Sequence, residues 1–362
     1  MPVRPLPEKP SLQHLKYQAK DLLKGHAACD PATAQRLREF HPRWPKATDS
    51  EIFASHLTLG EAQLAIAREY GFASWVRLKR RIEKPTPADQ LTRPLLERIE
   101  DPIFRRAVDL IDAGDVAGLR AHLKQHPELT RQHVEFEGGN YFRNPTLLEF
   151  IAENPVRRGK LPKNIAEIAE VILDAGVEAS SLNEALMLVA TGCVPRECGV
   201  QIPLINLLCD RGADPNRAAE AAAVLFEREA VKAFLQRGAQ MTLPLASALG
   251  NLDLARQLLA KANPEQRHLG LAIASQYGHA DIVELLLNAG EDPNRFNPLG
   301  GHSHSMPLHQ AAGNGHLDVV KLLIARGART DVKDILFGGT PTDWARYAGK
   351  KKVETFLREK AS

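Results

Sequence analysis

Apolar and polar residues alternate at helical spacing along nearly the whole chain. In the N-terminal part, Ser11 can cap a helix that carries an apolar residue at every third or fourth position. Asp30 and Pro31 are residue types that start a helix, so a second one is expected directly after them. The segment 41–55 carries two prolines and is expected to be irregular. The pattern therefore predicts four helices before residue 84, at about 12–23, 31–40, 59–70 and 74–83.

Beyond residue 101, apolar helices end again and again at a glycine. A glycine supplies the left-handed turn that closes a helix, because it has no side chain to clash in that conformation. The glycines in these positions are Gly176, Gly212, Gly238, Gly290 and Gly327. Counting back from them predicts two-helix repeats that begin near residues 102, 145, 182, 217, 242, 267 and 305, with a closing unit at 338–361.

Two of these repeats have a distinctive sequence. The segment 306–312 reads Met-Pro-Leu-His-Gln-Ala-Ala and continues with Gly-His and an apolar helix. It resembles the ankyrin signature, in which Thr-Pro-Leu-His-x-Ala starts a unit made of a turn and two helices. The copy before it, over 271–294, keeps the Gly-His and the apolar helix but lacks the Thr-Pro-Leu-His start. The resemblance covers 102–362 and is strongest over 267–345.

The resemblance implies an all-α fold, an ankyrin-repeat solenoid preceded by a small N-terminal helical unit. It also implies that His309 and His316, which are residue types that bind metals, have structural roles in their repeat. The stretch 59–75 is similar to the helical region found ahead of ankyrin arrays in many bacterial proteins, so a bacterial protein is expected. The expected division of the chain is a flexible tail at 1–10, a helical unit at 11–84, a linker at 85–101 and an array of about eight units at 102–362 that ends in a capping repeat.

Composition and charge narrow the class of protein. The 362 residues are 44% hydrophobic and 25% charged, which is typical of a soluble globular chain. The net charge of +3 is too small to indicate a nucleic-acid binder by itself. Four scattered cysteines do not make a secreted disulfide framework, the proline-rich start lacks the apolar run of a signal peptide, and no stretch reaches the ~18 apolar residues of a membrane span. A cytoplasmic protein with no membrane partner is expected.

The familiar sequence patterns of catalysis do not occur in the chain. There is no glycine-rich phosphate loop, no Gly-x-Ser-x-Gly and no His-Glu-x-x-His. Cys193 and Cys198 are spaced too widely for a Cys-x-x-Cys site, and no second pair accompanies them. The sequence therefore predicts a non-enzymatic protein with no catalytic residues, no cofactor, no metal site and no small-molecule substrate.

Two consecutive repeats have long connections between their helices, at 154–164 and 191–201. Against the 33-residue ankyrin unit they are about nine and seven residues too long, and stacking must set them side by side. Long loops in compact arrays are often functional. We expect the pair to offer a positive surface to a carboxylate-rich peptide, a phosphate group or a nucleic acid, unless the charges only keep the loops soluble. The charged residues are Arg157, Arg158, Lys160 and Lys163 in the first loop and Arg196 and Glu197 in the second.

Two finger-like turns that precede repeats are further candidates for partner binding. The turn at 135–145 is rich in residue types that anchor interfaces. The turn at 297–305 is about four residues longer than the family unit allows, and its two histidines have no carboxylate or cysteine nearby to complete a zinc site. Both are expected to face a partner. The residues singled out are Tyr141, Phe142 and Arg143 in the first turn and His302 and His304 in the second.

The helix expected at 74–83 raises a different class of function. It follows the helix at 59–70 after Gly71 in a way that resembles a helix-turn-helix with a basic second helix. A basic face that only meets solvent is the simpler interpretation of the same pattern. The residues that would contact nucleic acid are Arg77, Lys79, Arg80 and Arg81.

The function that the sequence predicts is that of an adaptor, which binds another protein through its fingers and its extended basic loops. One alternative is a nucleic-acid-binding protein that uses the basic helix at 75–84 together with the basic loops. The other is an inhibitor or immunity protein that covers a partner enzyme. An inhibitor would need the same kind of surface as an adaptor, so the sequence does not separate the two.

Overall fold

The computed structural model describes residues 4–7, 10–83, 95–134 and 144–361. All regular structure in these ranges is helical, which confirms the predicted all-α fold. Short 3₁₀ helices lie at Leu95–Arg98, Pro127–Thr130 and Leu147–Ala152. The α-helices, numbered in chain order, are α1 (Leu12–Ala27), α2 (Pro31–Phe40), α3 (Asp49–Ala54), α4 (Leu59–Glu69), α5 (Trp75–Glu83), α6 (Pro102–Ala113), α7 (Val116–Gln125), α8 (Ile165–Asp174), α9 (Ala179–Thr191), α10 (Cys193–Glu197), α11 (Gln201–Asp210), α12 (Pro215–Val224), α13 (Arg228–Gln236), α14 (Leu243–Leu249), α15 (Leu252–Leu259), α16 (Pro264–Tyr277), α17 (Ala280–Asn288), α18 (Pro307–Asn314), α19 (Leu317–Ala325), α20 (Pro341–Tyr347) and α21 (Lys351–Ala361).

The first helices begin where the sequence offers a cap. Ser11 Oγ accepts a hydrogen bond from the His14 N–H at the start of α1, over 3.3 Å. The Asp30 carboxylate accepts the N–H groups of Ala32 and Thr33 at the start of α2. These caps satisfy backbone donors that have no partner within the helix. The predicted starts of α1 and α2 are therefore confirmed.

One N-terminal helix was not predicted. α3 lies in the segment 41–55, which was expected to be irregular. Its start is a capping box, in which Thr48 and Glu51 each bond the other's backbone N–H. Ile52 then fills the core of the N-terminal helices. The Thr-x-x-Glu spacing was a readable signal of this helix, and the two prolines before it hid the signal.

The predicted glycine turns are confirmed. All five of the named glycines have positive φ, from 88° at Gly238 to 97° at Gly212. A residue with a side chain is strained in this conformation, so glycine fixes the point at which each second helix ends. The repeat spacing that was counted from these positions therefore rests on real helix ends.

The described residues divide into two compact units. One unit contains the helices up to Ile82 together with the chain from Met241 onward, and the other runs from Glu83 to Gln240. The expected division gave the N-terminal helices a unit of their own, whereas the structure groups them with the C-terminal repeats. Hydrogen bonds between α2 and the segment 297–305, described below, are among the contacts within this unit.

Repeats stack through equivalent helices. In one unit α14, α16, α18 and α20 pack side by side as a first row, and α15, α17, α19 and α21 form a second row. In the other unit the 3₁₀ helix Leu147–Ala152, α9 and α12 form the first row, and α8, α11 and α13 the second. Each helix therefore buries its apolar face against its own repeat and its neighbours, as in other repeat proteins.

Side-chain hydrogen bonds also connect successive repeats. Asn183 Oδ1 accepts the Asp214 N–H over 2.9 Å, and Asn294 Oδ1 accepts the Arg329 N–H over 2.8 Å. Each asparagine lies one repeat before the backbone group that it binds. These bonds fix the register between repeats, because a shift of one residue would leave both partners unpaired.

The two histidines of the signature repeat have structural positions. His316 Nε2 lies 2.9 Å from the Gln276 carbonyl oxygen of the preceding repeat. His309 is fully buried, accepts the Met306 N–H at its Nδ1, and has its Nε2 3.2 Å from the Gly339 carbonyl oxygen. The structural roles that the ankyrin resemblance implied are confirmed.

Candidate functional site

The two long loops, 154–164 and 191–201, lie side by side and are called the loop pair below. The Leu161 N–H donates to Cys198 Sγ over 3.3 Å, which joins the first loop to the second. The second loop contains the short helix α10, which the sequence did not predict. Stacking of consecutive repeats therefore sets the two insertions together, as predicted.

Arg157, in the first loop, points into the protein. Its side chain is 1% exposed, and its Nη2 lies 2.7 Å from Asp112 Oδ1. Its Nε donates to both carboxylate oxygens of Asp112 over 3.1 Å, and the guanidinium stacks 5.1 Å from the centroid of the Phe150 ring. Such a residue holds the loop to the fold. This burial corrects the expectation that Arg157 contacts a partner.

Glu153 completes a buried ion cluster beneath the first loop. Its Oε2 lies 3.0 Å from Arg157 Nη2, although the angle does not suit a hydrogen bond. Its Oε1 accepts the backbone N–H groups of Arg157, Arg158 and Gly159. Three consecutive N–H groups around one carboxylate resemble the backbone nests that bind anions. The carboxylate that this nest holds belongs to the protein itself, so the first turn of the loop is firmly fixed.

Arg196, in the second loop, is also engaged by carboxylates. Its guanidinium pairs with the buried Glu227 and lies 3.4 Å from Glu197. Three acids from outside the two loops therefore contribute to the charge of the loop pair. Five positive groups face four negative ones: Arg157, Arg158, Lys160, Lys163 and Arg196 against Asp112, Glu153, Glu197 and Glu227. The surface is much less positive than the loop sequences alone predicted.

A smaller exposed surface is left on the first loop. Arg158 is about half-exposed, with its Nε 3.6 Å from Asp112 Oδ2. Lys160 and Lys163 are exposed, and no carboxylate of the described residues pairs with either. Val156 is 60% exposed beside them. This set, rather than the whole basic stretch, is what the loop offers to a partner.

The segment 297–305, called the long finger below, is a closed turn. The Asn297 N–H donates to the Ser305 carbonyl oxygen over 2.9 Å, and the Ser305 N–H donates to the His302 carbonyl oxygen over 3.0 Å. The next finger along the array is tied to it, because the Ile335 N–H donates to the His304 carbonyl oxygen over 2.9 Å. The long finger therefore has a defined conformation.

The histidines of the long finger make contacts within the protein. His304 is 8% exposed, and its ring packs against the rings of Phe337 and Trp344. Burial, and then the neighbouring His302, lower the pKa of His304 to about 4. The His302 ring nitrogen Nε2 lies 3.4 Å from Gln276 Nε2. The expectation that these histidines face a partner is corrected for His304, since its ring is buried inside the unit.

Helix α2 lies against the long finger. Gln35 Nε2 donates to the carbonyl oxygens of Asn297, over 3.1 Å, and Ser303, over 2.7 Å. The Ser303 hydroxyl donates to the Glu39 carboxylate one turn further along α2. No sequence signal marked Gln35 or Glu39, because polar residues on an amphipathic helix usually face water.

The Glu39 carboxyl has an altered acidity in this contact. Burial raises its pKa from 4.5 to about 7. The two arginines near it on α2 form ion pairs with other residues. Arg36 pairs with Glu69, and Arg38 pairs with Asp49. On the finger side the titratable groups are His302 and His304. Near neutral pH the Glu39 carboxyl is therefore divided between its protonated and ionised forms.

The long finger covers one side of α16. This helix is buried without interruption from His268 to Tyr277, and its main helical neighbours among the described residues are α14, α17 and α18. The finger closes the remaining side, because a Cβ added to Gly301 would lie 2.5 Å from Leu269 Cδ1. By contrast α20, the last helix of the same row, buries only Pro341 and Ala345. In the first row, α16 is therefore covered along its length, whereas α20 is largely uncovered.

Sequence comparisons agree with this architecture. The pattern of the family described as "Ankyrin repeats" matches three copies within residues 243–334 and 271–361. Human cyclin-dependent kinase 4 inhibitor B is 37% identical over 125 residues, which are 33% of this chain and 88% of that protein. The chain belongs to the ankyrin-repeat family. Human cyclin-dependent kinase inhibitor 2A is 39% identical over 123 residues, or 33% of this ankyrin-repeat protein and 76% of the relative.

The similarity is confined to part of the ankyrin-repeat protein. Mouse ankyrin repeat and SAM domain-containing protein 6 is 33% identical over 106 residues, which are 29% of this chain and 12% of that protein. The family pattern begins at residue 243, so it does not include α1–α5. The comparisons therefore identify the repeats and leave the N-terminal helices without an assigned role.

Helix α5 of the ankyrin-repeat protein exposes most of its basic residues. Leu78 is its only fully buried residue, whereas Val76 is 73% exposed. Arg77, Lys79 and Arg80 are exposed and Arg81 is half-buried. Lys79 and Arg81 are two residues apart and therefore point to different sides of this short helix. A nucleic-acid partner for these cations stays a proposal.

The finger before α20 is ordered by one carboxylate that sequence reasoning overlooked. Asp334, almost fully buried, accepts the N–H groups of Leu336, Phe337 and Gly339 and the Trp344 Nε1–H. The Phe337 side chain is 77% exposed on this ordered turn. The available signal was an aspartate followed, four residues later, by the Gly338–Gly339 pair, which is a pattern typical of a turn.

The predicted contact residues of the turn at 135–145, which are Tyr141, Phe142 and Arg143, lie outside the described residues. Within the described ranges no cluster of three His, Cys, Asp or Glu side chains could hold a metal ion. The same ranges contain no helix of the length and apolar character needed to cross a membrane.

Proposed function

We propose that this ankyrin-repeat protein is a non-enzymatic scaffold that binds another protein. Membership of the ankyrin-repeat family supports this function, because repeat arrays present extended surfaces for macromolecules. The relatives support it too, since their names describe inhibitors of another protein, a cyclin-dependent kinase. No cofactor and no small-molecule substrate enter the proposal.

The loop pair carries the proposal. Its first loop is anchored by Arg157, Asp112 and Glu153, and it exposes Val156, Lys160 and Lys163. A loop that is already ordered loses little conformational entropy when a partner binds. Two lysines beside an apolar side chain suit a partner surface that combines a carboxylate with an apolar group.

Charge reversal tests this site. The double variant Lys160→Glu, Lys163→Glu is immobilised and used to capture proteins from lysate of the source cells, beside the wild type and a Lys351→Glu, Lys352→Glu control. The control makes the same charge change at exposed positions of α21. We expect one stoichiometric protein to bind the wild type and the control, and to be lost with the loop variant. Equal capture by all three proteins would rule out the loop pair as the contact.

The turn at 135–145 is proposed as a second contact. Tyr141, Phe142 and Arg143 combine aromatic rings with a guanidinium, and these residue types dominate binding energy at interfaces. Replacing all three by alanine should weaken capture of the same protein without altering the helical circular dichroism. If capture is unchanged, the turn has no part in partner binding.

Inhibition of a partner enzyme is a second candidate function. The observation in its favour is the 37% identity to a kinase inhibitor across 88% of that protein. The direct measurement is the phosphorylation rate of cyclin-dependent kinase 4 at increasing concentrations of this protein. A saturable loss of activity would support an inhibitor, whereas an unchanged rate at micromolar protein would exclude this kinase as the target.

Nucleic-acid binding through Arg77, Lys79, Arg80 and Arg81 is the remaining alternative, and the exposure of the first three favours it. Binding of a fluorescent duplex that falls steeply with salt, and is lost when Arg77 and Arg80 are reversed to glutamate, would select it. Duplex binding that is absent at low salt would remove it.

We place the protein in a reducing cytoplasm. Two free cysteines, Cys29 and Cys193, are exposed, and exposed thiols are typical of reducing compartments. A bacterial source is supported by the resemblance of 59–75 alone, and the relatives named above are mammalian.

A further inference from the structure

Helix α2 recognises the long finger with two side chains on one face. The Gln35 amide group bridges the two sides of the finger, because it donates to the carbonyl oxygens of both Asn297 and Ser303. Glu39, four residues later, accepts the Ser303 hydroxyl. Residues four apart lie above one another on a helix, so α2 presents an amide and a carboxyl group as a single paired feature.

The long finger, which α2 contacts, covers one side of α16. Gly301 lies so close to Leu269 that there is no space for a side chain, and His302 contacts Gln276. Both contacts are with α16, which is buried along its length. If α2 is released, the finger loses the Gln35 bridge and keeps its own Asn297–Ser305 backbone bond, so its hold on α16 weakens.

The N-terminal helices and the repeats each have a described core of their own. Residues such as Leu15, Leu22, Leu37, Ile52 and Ile66 form the N-terminal core, whereas Leu271, Ile282, Val320, Leu323 and Leu357 belong to the core of the repeats. These two described cores share no residue. The α2–finger bonds are polar, and water can replace each of them at a modest net cost. Local opening is therefore easier than unfolding.

The polar site on the finger is not fully satisfied by α2. Asn297 Oδ1 is buried and has no hydrogen-bond partner among the described residues. A buried acceptor without a donor costs free energy, and a ligand with one more suitably placed donor would recover it. The site can therefore accept a different ligand that satisfies more of its groups than α2 does.

We propose that the long finger forms a binding site for an amphipathic helix that carries a glutamine and a glutamate four residues apart, and that α2 occupies this site as a displaceable internal ligand. A partner helix with the same pair competes with α2 and frees the N-terminal helices when it binds. This site is separate from the loop pair, and the experiments below involve no loop residue, so failure of one proposal leaves the other standing.

The first experiment opens the site by substitution. In Gln35→Glu a carboxylate replaces the amide and faces two carbonyl oxygens, which are also acceptors. Hydrogen–deuterium exchange of the full-length protein should become roughly tenfold faster or more in residues 297–305 and in α16, because two hydrogen bonds are lost. Exchange in the cores of α4 and α19 should not change. Gln35→Ala gives a second way to remove the donor if the first variant folds poorly.

A matched control separates this effect from general damage to the N-terminal helices. Gln18 on α1 is a half-buried glutamine, and its Nε2 donates to Tyr70 Oη over 3.1 Å within the N-terminal helices. Gln18→Glu should leave the exchange of 297–305 at the wild-type rate. If both variants accelerate the finger, or if Gln35→Glu accelerates α4 together with the finger, α2 is part of one cooperative fold and the proposal is wrong.

The second experiment supplies the ligand from outside. A fluorescent, helix-constrained peptide with the sequence of residues 28–48 is titrated into full-length wild-type protein and into the Gln35→Glu variant. It should bind the variant at least tenfold more tightly, because the site is no longer occupied in the variant. A peptide that itself carries Gln35→Glu should not bind. Equal affinity for the two proteins, or equal affinity of the two peptides, would overturn the proposal.

Discussion

The first long loop and the long finger are both insertions into ankyrin repeats, yet the protein holds them by different means. The first loop is fixed by a buried ion cluster of Arg157, Asp112 and Glu153. The long finger has its own backbone bonds and is held to α2 by hydrogen bonds from Gln35 to backbone carbonyl oxygens. The extra length of an insertion therefore indicates where the chain departs from the repeat, but it does not indicate whether the departure is open to a partner.

The ion cluster and the α2 contact differ in the free energy that is needed to break them. Breaking the ion cluster would leave charges in a low-dielectric interior without their counter-charge, which is very unfavourable. Breaking the Gln35 bonds exchanges neutral hydrogen bonds for hydrogen bonds to water, and each exchange has a small net cost. The first arrangement suits a permanent base for an exposed surface, and the second suits a cover that can open.

The largest expected effect comes from the ion cluster. Arg157→Ala leaves Asp112 and Glu153 buried without their cation, so we expect a loss of about 3–5 kcal/mol in the stability of the unit that contains them. The control is Arg158→Ala, at a half-exposed position beside the same Asp112, which should cost less than about 1 kcal/mol. Both are measured from the slowest-exchanging amides of that unit. Similar losses of stability for the two variants would show that the buried ion cluster contributes no more than a half-exposed arginine does.

A third insertion-like turn, the finger before α20, sharpens the comparison because it is ordered and still exposed. Asp334→Ala removes the acceptor for three backbone N–H groups and for the Trp344 Nε1–H, and we expect it to cost about 2–3 kcal/mol. Asp331→Ala, at an exposed position three residues earlier, should leave the thermal midpoint unchanged. If Asp334→Ala also leaves the thermal midpoint unchanged, the finger is ordered by its neighbours rather than by this carboxylate.

The contact of α2 with the long finger should depend on pH, unlike the ion cluster. The pKa of Glu39 is raised to about 7 in the contact from 4.5 in water, so the contribution is complete below pH 4.5 and is lost as pH rises through about 7. Between pH 6 and pH 8 the opening equilibrium should increase about tenfold, or about 1.4 kcal/mol. On the acid side, His304 acts in the opposite direction, because its pKa is lowered to about 4 and its contribution is lost as pH falls below 6.5.

Exchange of residues 297–305, corrected for the intrinsic effect of pH on exchange, measures this dependence. Glu39→Gln keeps an oxygen for the Ser303 hydroxyl but does not titrate, so its protection should be flat between pH 6 and pH 8. Glu149→Gln is the control, since burial also raises the pKa of Glu149 but this residue is not in the finger contact. A Glu39→Gln variant that keeps the full pH dependence would show that another group is responsible.

Features set by neighbours in the sequence were predictable, and contacts between distant residues were not. The caps of α1 and α2 and the glycine turns depend on residues within a few positions of one another, so the pattern revealed them. The partners of Arg157 and Gln35 lie 45 and 262 residues away, at Asp112 and Asn297. A single sequence carries no signal for such pairings, because an arginine in a loop or a glutamine on a helix has the same pattern whether it is buried or solvated.

The smallest expected effect is the one that defines a surface for binding. Lys160 and Lys163 are exposed above the ion cluster and pair with no described carboxylate, so the change of both to glutamate should alter stability by less than about 0.5 kcal/mol. The same change should abolish capture of the partner if the loop pair is the contact. Measuring the two quantities on one preparation separates binding from folding. A loss of capture together with a large loss of stability would show that these lysines, like Arg157, stabilise the loop and do not form the binding surface.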